Sequence, residues 1–388
     1  MRICMISDQA FPAWGGEGVA IQRLCLKLQQ RGHQIVFLTS RVSHPPIVNE
    51  IKIYRFLSFP IPQKRGYFAF PRLATLIFIL KKERSEIIHI NLPTFLGWQS
   101  IRAARKLKIP VVLGFHVQLG NIFPSPSAFF MPLKWIVEKW FSYYYCQADV
   151  IVTPSFFARD TLRRYSFRPV EVVSNGVDLN IFNYDRIGEE KTKRFREKYN
   201  VGEDSLLLYV GRLSREKNVE YLLFIMRILN QDSFPVKLLV VGQGRLKDKL
   251  MKESSKMGLN KSVIFTDYLK KEELICAYKE AEIFILPSLY ELQGIVLLEA
   301  MAMKNAILVS DSKDSAAREL VKEGINGYTF SLKDPQDAAR KIKRIISNEN
   351  LRRSMQEESF KIVSNHHNIN ESVSKIEAVY KDLVRRSR

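Results

Sequence analysis

Two carboxylates eight positions apart, Glu291 and Glu299, bracket a stretch that also holds Gln293, Gly294 and Ile295. An ionised carboxylate accepts several hydrogen bonds at once, which suits a hydroxyl-rich ligand such as a sugar. An apolar run ending at Pro287 feeds this stretch and a helix begins near Gly294, so Glu291 falls in the loop and Glu299 inside the helix. Main-chain N–H groups near Gly294 and Ile295 then lie at a helix N-terminus, a ready anion site. A second stretch runs Gly211-Arg212-Leu213-Ser214-Arg215-Glu216-Lys217-Asn218 after a strand. Arg212 and Lys217 can converge there on a pair of phosphates, although any single lysine reads equally well as a solvated loop residue. A third, Trp14-Gly15-Gly16-Glu17-Gly18, lets backbone approach a phosphate. His116 follows the run Val111–Phe115, at the strand end where open α/β sheets bind ligands. Asn175-Gly176-Val177-Asp178 and Val241-Gly242-Gln243-Gly244 are further turns at strand ends.

These residues need strands to present them. Short apolar runs at Arg2–Ser7, Gln34–Thr39, Ile51–Phe56, Ile87–Ile90, Val111–Phe115, Val150–Pro154 and Val170–Ser174 alternate with helical patterns. The pattern restarts at Leu206–Val210, Val236–Val241, Val263–Phe265, Ile283–Pro287 and Ala306–Ser310. Strands without polar alternation, separated by helices, predict parallel sheets covered on both faces. The fold expected is α/β, two Rossmann-like doubly wound domains facing a cleft. The 388 residues fit two domains of roughly 150–200 residues. The boundaries expected are 1–182, 183–370, and a terminal helix at 371–388.

Composition narrows the options. The chain carries 60 Lys+Arg against 40 Asp+Glu, a net charge of +20, and is 46% apolar. Residues 1–182 hold 23 basic and 10 acidic side chains, +13, leaving +7 for the rest. Such a field attracts anionic partners. No helix-turn-helix, zinc-finger, RRM or KH signature accompanies it, so nucleic acid is not expected. Cys4, Cys25, Cys146 and Cys276 show no metal-ligand or disulfide spacing. Leu73–Leu80, the longest uncharged apolar run, is far short of the roughly 20 residues that span a bilayer. The first residues read as a buried strand and not as a signal peptide, which predicts a reducing cytoplasmic setting.

Taken together, the motifs resemble the GT-B glycosyltransferases, in particular the large retaining family 4 of nucleotide-sugar-dependent enzymes. The resemblance runs from Gly15-Gly16 through His116, Ser174–Asp178 with Phe182, Gly211–Asn218 and Val241–Gly244 to Glu291 and Glu299. It implies that Arg212 and Lys217 hold the donor diphosphate, and that Glu291 accepts from donor-sugar hydroxyls. The amides of Gln293, Gly294 and Ile295 would meet sugar and diphosphate, and Glu299 the ribose. Gly15 and Gly16 would close on the phosphates, His116 would contact the sugar, and the base would rest near Asp267 and Tyr268. Many relatives have Gly where this chain has Asp267, which leaves UDP and GDP both open. No D-x-D motif sits at a strand end, so neither metal nor other cofactor is expected. The resemblance also implies that the departing phosphate takes the acceptor proton, and that the terminal helix returns to the first domain.

The acceptor is read from the N-terminal half. Phe56–Lys82 mixes Phe59, Tyr67, Phe68, Phe70 and Phe78 with Lys64, Arg65, Arg72, Lys81 and Lys82. Ile122–Tyr145 has nine aromatic residues in 24, among them Phe129, Phe130, Trp135 and Trp140, beside Lys134 and Lys139. Such a mixture suits an anionic membrane surface. The competing expectation is that Leu133, Val137, Trp140 and Tyr144, at helical spacing, pack in a core. Gln293 in the first half of the two-glutamate element also resembles diacylglycerol glucosyltransferases. The expectation is a peripheral enzyme on the inner face of the cell membrane, moving a hexose from a UDP-sugar to a lipid. The alternatives are an acceptor in cell-envelope polysaccharide or lipopolysaccharide assembly, or a nucleotide-sugar epimerase.

Overall fold

The computed structural model describes residues 1–13, 15–43, 51–61, 66–123 and 131–387. The chain divides into two compact units, Met1–Gly176 with Ile369–Arg388, and Val177–Asn368.

In the first unit the strands are β1 (Arg2–Ile6), β2 (Gln34–Ser40), β3 (Lys52–Phe56), β4 (Ser58–Pro60), β5 (Tyr67–Ala69), β6 (Ile87–Ile90), β7 (Val111–Gly114), β8 (Val150–Thr153) and β9 (Val170–Val172). Seven of them form a parallel sheet among the described residues, in the order β3-β2-β1-β6-β7-β8-β9. The register is set by apolar pairs such as Ile3 with Ile87 and Ile6 with Ile90. β6 and β7 are buried along their whole length, as a sheet covered on both faces requires. The remaining two, β4 and β5, pair antiparallel as a small hairpin.

The second unit contains β10 (Ser205–Val210), β11 (Val236–Val241), β12 (Val263–Thr266), β13 (Ile283–Leu286), β14 (Ala306–Ser310) and β15 (Gly327–Phe330). Their order is β12-β11-β10-β13-β14-β15, all parallel. The chain runs outward from β10 to β12, then starts again on the other side of β10 at β13. β10 and β13 therefore flank the point where strand order reverses.

Both sheets match the α/β expectation, and three strands escape it. β4 and β5 are three residues each with one exposed face, too short for a period to register. β15 is an edge strand that opens on Gly327 and carries a threonine, so it lacks an apolar run. The boundary also moves. Phe182, expected to end the first domain, packs in the second unit's core against Tyr278, with ring centroids 6.0 Å apart. The chain leaves the first unit at Gly176 and re-enters at Ile369, two residues before the helix start expected at 371.

That returning helix, Ile369–Ser387, buries Val373, Ile376, Tyr380 and Leu383 among Ile3, Met5, Ile21, Leu24 and Leu28. Polar contacts flank the apolar stripe. Glu377 accepts from Arg31 at 2.8 Å and meets His33 Nε2 at 2.5 Å. The Tyr380 hydroxyl meets His89 Nδ1 on β6 at 2.5 Å. Burial, with a smaller contribution from His116, pushes the His89 imidazole down to about 3 from its ordinary 6.5. Below pH 6.5 the unfolded chain therefore takes up a proton that the folded chain refuses, and stability falls as pH drops toward 3. His89→Gln should flatten the pH dependence of the thermal unfolding midpoint between about pH 6.5 and pH 4. Melts across that range check it; an unchanged slope would refute the assignment.

Candidate active site

The loops that follow β10 and β13 lie on the two sides of the reversal point in the second unit. The first carries Arg212, Glu216 and Lys217; the second carries Glu291, Gln293 and Gly294. Two contacts join them and a third braces one from behind. Lys217 Nζ donates to Glu291 Oε1 at 2.5 Å, with both side chains largely buried. The Leu289 amide donates to the Glu216 carbonyl at 2.9 Å. Ser312, after β14, donates to the Leu289 carbonyl at 2.6 Å and braces the second loop from behind.

Gly294 is the N-cap of the helix Ile295–Ala302 and has φ of +86°, a left-handed conformation that a side chain would strain. Gln293 is buried, as is Glu299 one helical stretch later. Glu299 Oε2 accepts from the Tyr278 hydroxyl at 3.0 Å. Arg212 is half exposed and forms an ion pair with Glu216 Oε1 at 3.0 Å. Burial opposes ionisation of Glu216, but its Ser214 hydrogen bond and Arg212 outweigh that and hold the carboxyl below its ordinary value. Tyr268 presents an exposed ring after β12, and neighbouring Asp267 pairs with Lys247 at 2.6 Å.

Arg212, Lys217, Glu291, Gln293, Gly294 and Ile295 are thus gathered at one end of the second sheet. Glu216 and Tyr278 went unread in the sequence. Glu216 had a signal, its i, i+4 spacing from Arg212; Tyr278, 21 residues from Glu299, had none.

Gly15, Gly16 and His116 belong to the first unit. Gly15 and Gly16 are exposed and open the helix Gly15–Gln30. His116 is half-buried beyond β7, and burial pushes it down to about 4, so it is neutral at pH 7. A further carboxylate went unread here. Asp8, just past β1, accepts from Ser40 at 2.7 Å, the Ala69 amide at 2.8 Å and Thr94 at 2.5 Å. It ties the β4–β5 hairpin and the cap of the helix Phe95–Lys106 to the sheet, while burial raises its pKa.

From that hairpin runs a ladder of rings. Centroid distances are 5.7 Å for Phe59–Phe70, 5.3 Å for Phe70–Phe95, 5.7 Å for Phe95–Trp98, 6.3 Å for Trp98–Trp140 and 6.0 Å for Trp140–Tyr143. The last two residues lie on the helix Met131–Tyr145, which Trp140 Nε1 anchors by donating to the Pro93 carbonyl at 2.8 Å. Of the residues expected in a core by spacing, Tyr144 is buried but Leu133 is exposed. All six residues of 131–136 are exposed, and the helix's fully buried residues, Phe141, Tyr144 and Tyr145, all lie in its second half. Phe129, Phe130, Trp14, Lys64 and Arg65 lie outside the described residues.

Comparison with known proteins identifies the family and the fold. Residues 14–181 match the family described as Glycosyltransferase Family 4, and residues 191–362 match Glycosyl transferases group 1. An alpha-monoglucosyldiacylglycerol synthase of Streptococcus pneumoniae is 28% identical over 79% of this chain and 70% of its own length. Sucrose-phosphate synthase from Thermosynechococcus elongatus has a similar fold, with a TM-score of 0.83 at 19% identity over 100% of both chains. Anabaena HepE, solved in complex with UDP-glucose, aligns with a TM-score of 0.79 at 16% identity, over 98% of this chain and 100% of that one. The chain belongs to the family 4 glycosyltransferases and has their GT-B fold of two Rossmann-like units.

Proposed function

We propose that the chain transfers a hexose, glucose foremost, from a UDP-sugar to a hydroxyl of a membrane lipid such as diacylglycerol, with retention at the anomeric carbon. The observation that carries the acceptor half is the ring ladder of the first unit with the exposed start of the helix Met131–Tyr145. Trp135, 60% exposed, has Lys139 over its ring at 5.6 Å, and Arg102 lies 4.9 Å from the Trp98 ring. Exposed rings beside cations suit the boundary between anionic head groups and acyl chains. Among the described residues no helix is long and apolar enough to cross a membrane. The Streptococcus pneumoniae relative is named for a glucosyldiacylglycerol product, which supports the lipid class. The HepE complex supports a UDP-sugar.

The donor half rests on the loops after β10 and β13. Arg212 and Lys217 take the diphosphate, and the amides at Gln293, Gly294 and Ile295 add the partial positive charge of a helix N-terminus. Glu291 holds sugar hydroxyls, Glu299 the ribose, and the Tyr268 ring the base. In the first unit Gly15 and Gly16 serve the phosphates, and neutral His116 serves the sugar. The bond from the anomeric carbon to the diphosphate oxygen breaks while the acceptor oxygen bonds that carbon on the same face. The acceptor proton passes to the departing phosphate oxygen, and UDP leaves. The cations and amides stabilise that leaving charge, so no metal takes part.

Incubation with radiolabelled UDP-glucose, GDP-mannose and a membrane lipid extract should place label from UDP-glucose in the lipid fraction, unaffected by EDTA. Label in a water-soluble glycan, or an isomerised nucleotide sugar, would overturn the lipid reading. Arg212→Ala or Lys217→Ala should lower turnover by roughly two powers of ten, as loss of a transition-state donor does. Normal turnover in either variant would sink the donor assignment. The chain should float with anionic vesicles at low salt, and Lys134→Gln with Lys139→Gln should weaken that partition by roughly tenfold or more. No flotation of the native chain would refute surface association.

A further inference from the structure

A small cavity inside the first unit carries a role the donor and acceptor residues do not explain. Its volume is about 30 Å³, and its polar lining comprises His89, Asn91, His116, Ser174, Asn175 and Ser372. The returning helix closes it through Ile369, Ser372 and Ile376. His89 is fully buried, and its Nε2 has no hydrogen-bond partner among the described residues. Its Nδ1 faces the Tyr380 hydroxyl. That hydroxyl also lies 3.8 Å from Met5 Sδ, but a thioether is a weak acceptor and an imidazole nitrogen a strong one. Tyr380 therefore donates to Nδ1, and the ring proton of His89 sits on Nε2. A buried N–H left without an acceptor is destabilising. The cavity exceeds the roughly 10–15 Å³ that one water requires, and several polar groups line it. His116 reaches the same place from β7: a Cβ added at Gly114 would lie 2.8 Å from His116 Nε2 and 3.2 Å from Asn91 Oδ1.

We propose that this cavity binds one water, which accepts from His89 Nε2–H and links it to His116, making His89 a positioning residue for the His116 ring. The inference rests on the reading of His116 as a donor-sugar contact. Tyr380 fixes the tautomer of His89, His89 fixes the water, and the water fixes the imidazole. Through this chain the terminal helix bears on the reaction without touching substrate.

The test joins crystals of the full chain with the kinetics of two variants. Native crystals should show one ordered water within hydrogen-bond distance of His89 Nε2 and of His116 or Asn91. His89→Leu removes the donor, whereas His89→Gln keeps an amide near the Nε2 position. The leucine variant should lose about tenfold or more in kcat while the donor KM stays within about twofold, and the glutamine variant should recover to within about threefold of native. Melting temperatures establish that both variants fold. A native cavity without water, equal kcat in all three proteins, or equal losses in the two variants would each overturn the proposal. If the native chain turns over no nucleotide sugar, the functional reading fails while the crystals still decide the water site.

Discussion

A parallel sheet whose strand order reverses leaves two neighbouring loops diverging at the carboxyl ends of its strands. In the second unit those loops follow β10 and β13, and the Lys217–Glu291 pair holds them together at 2.5 Å. Most other features of this unit depend on that junction. It brings a lysine against a glutamate, although the two residues are 74 positions apart in the chain. It also sets where the helix beginning at Ile295 can point its free amides. The junction is mostly shielded from water, so the attraction is stronger than that of an exposed pair, while each charge costs more to desolvate. The lysine side chain is thereby held in one orientation.

The same pairing changes what the net charge means. Arg212 is held by Glu216 and Lys217 by Glu291, so the donor loops are locally close to balance. The excess of +20 is not concentrated at these loops. Of it, +13 belongs to residues 1–182, where lysines and arginines stand beside exposed rings. A dispersed positive surface with aromatic side chains attracts a membrane over a Debye length and then inserts at short range. Most of the excess charge thus lies outside the loops after β10 and β13.

The first unit is assembled around a different constraint, its terminal helix. That helix fills the apolar face left by the helix Gly15–Gln30 and the first strands, and brings Tyr380 to His89. Asp8 acts similarly on the opposite flank, since three hydrogen bonds to one buried carboxylate hold the hairpin and the ring ladder to β1. Buried polar groups satisfied in this way fix orientation more than they add stability.

The sequence by itself determined the alternation of strands and helices, the two parallel sheets, and the short-range site pieces: Arg212 with Lys217, and Gln293 to Ile295 after a strand. These are readable because strand periodicity, turn glycines and helix starts are local properties of a few consecutive residues. Tertiary structure decided that Lys217 meets Glu291, that Tyr278 holds Glu299, and that Phe182 belongs to the second core. It also decided which face of the helix Met131–Tyr145 stays in solvent, where spacing had put Leu133 inside. Those outcomes depend on which surfaces the folded chain brings together. A side chain's burial is set by neighbours distant in sequence, and no window of consecutive residues contains them.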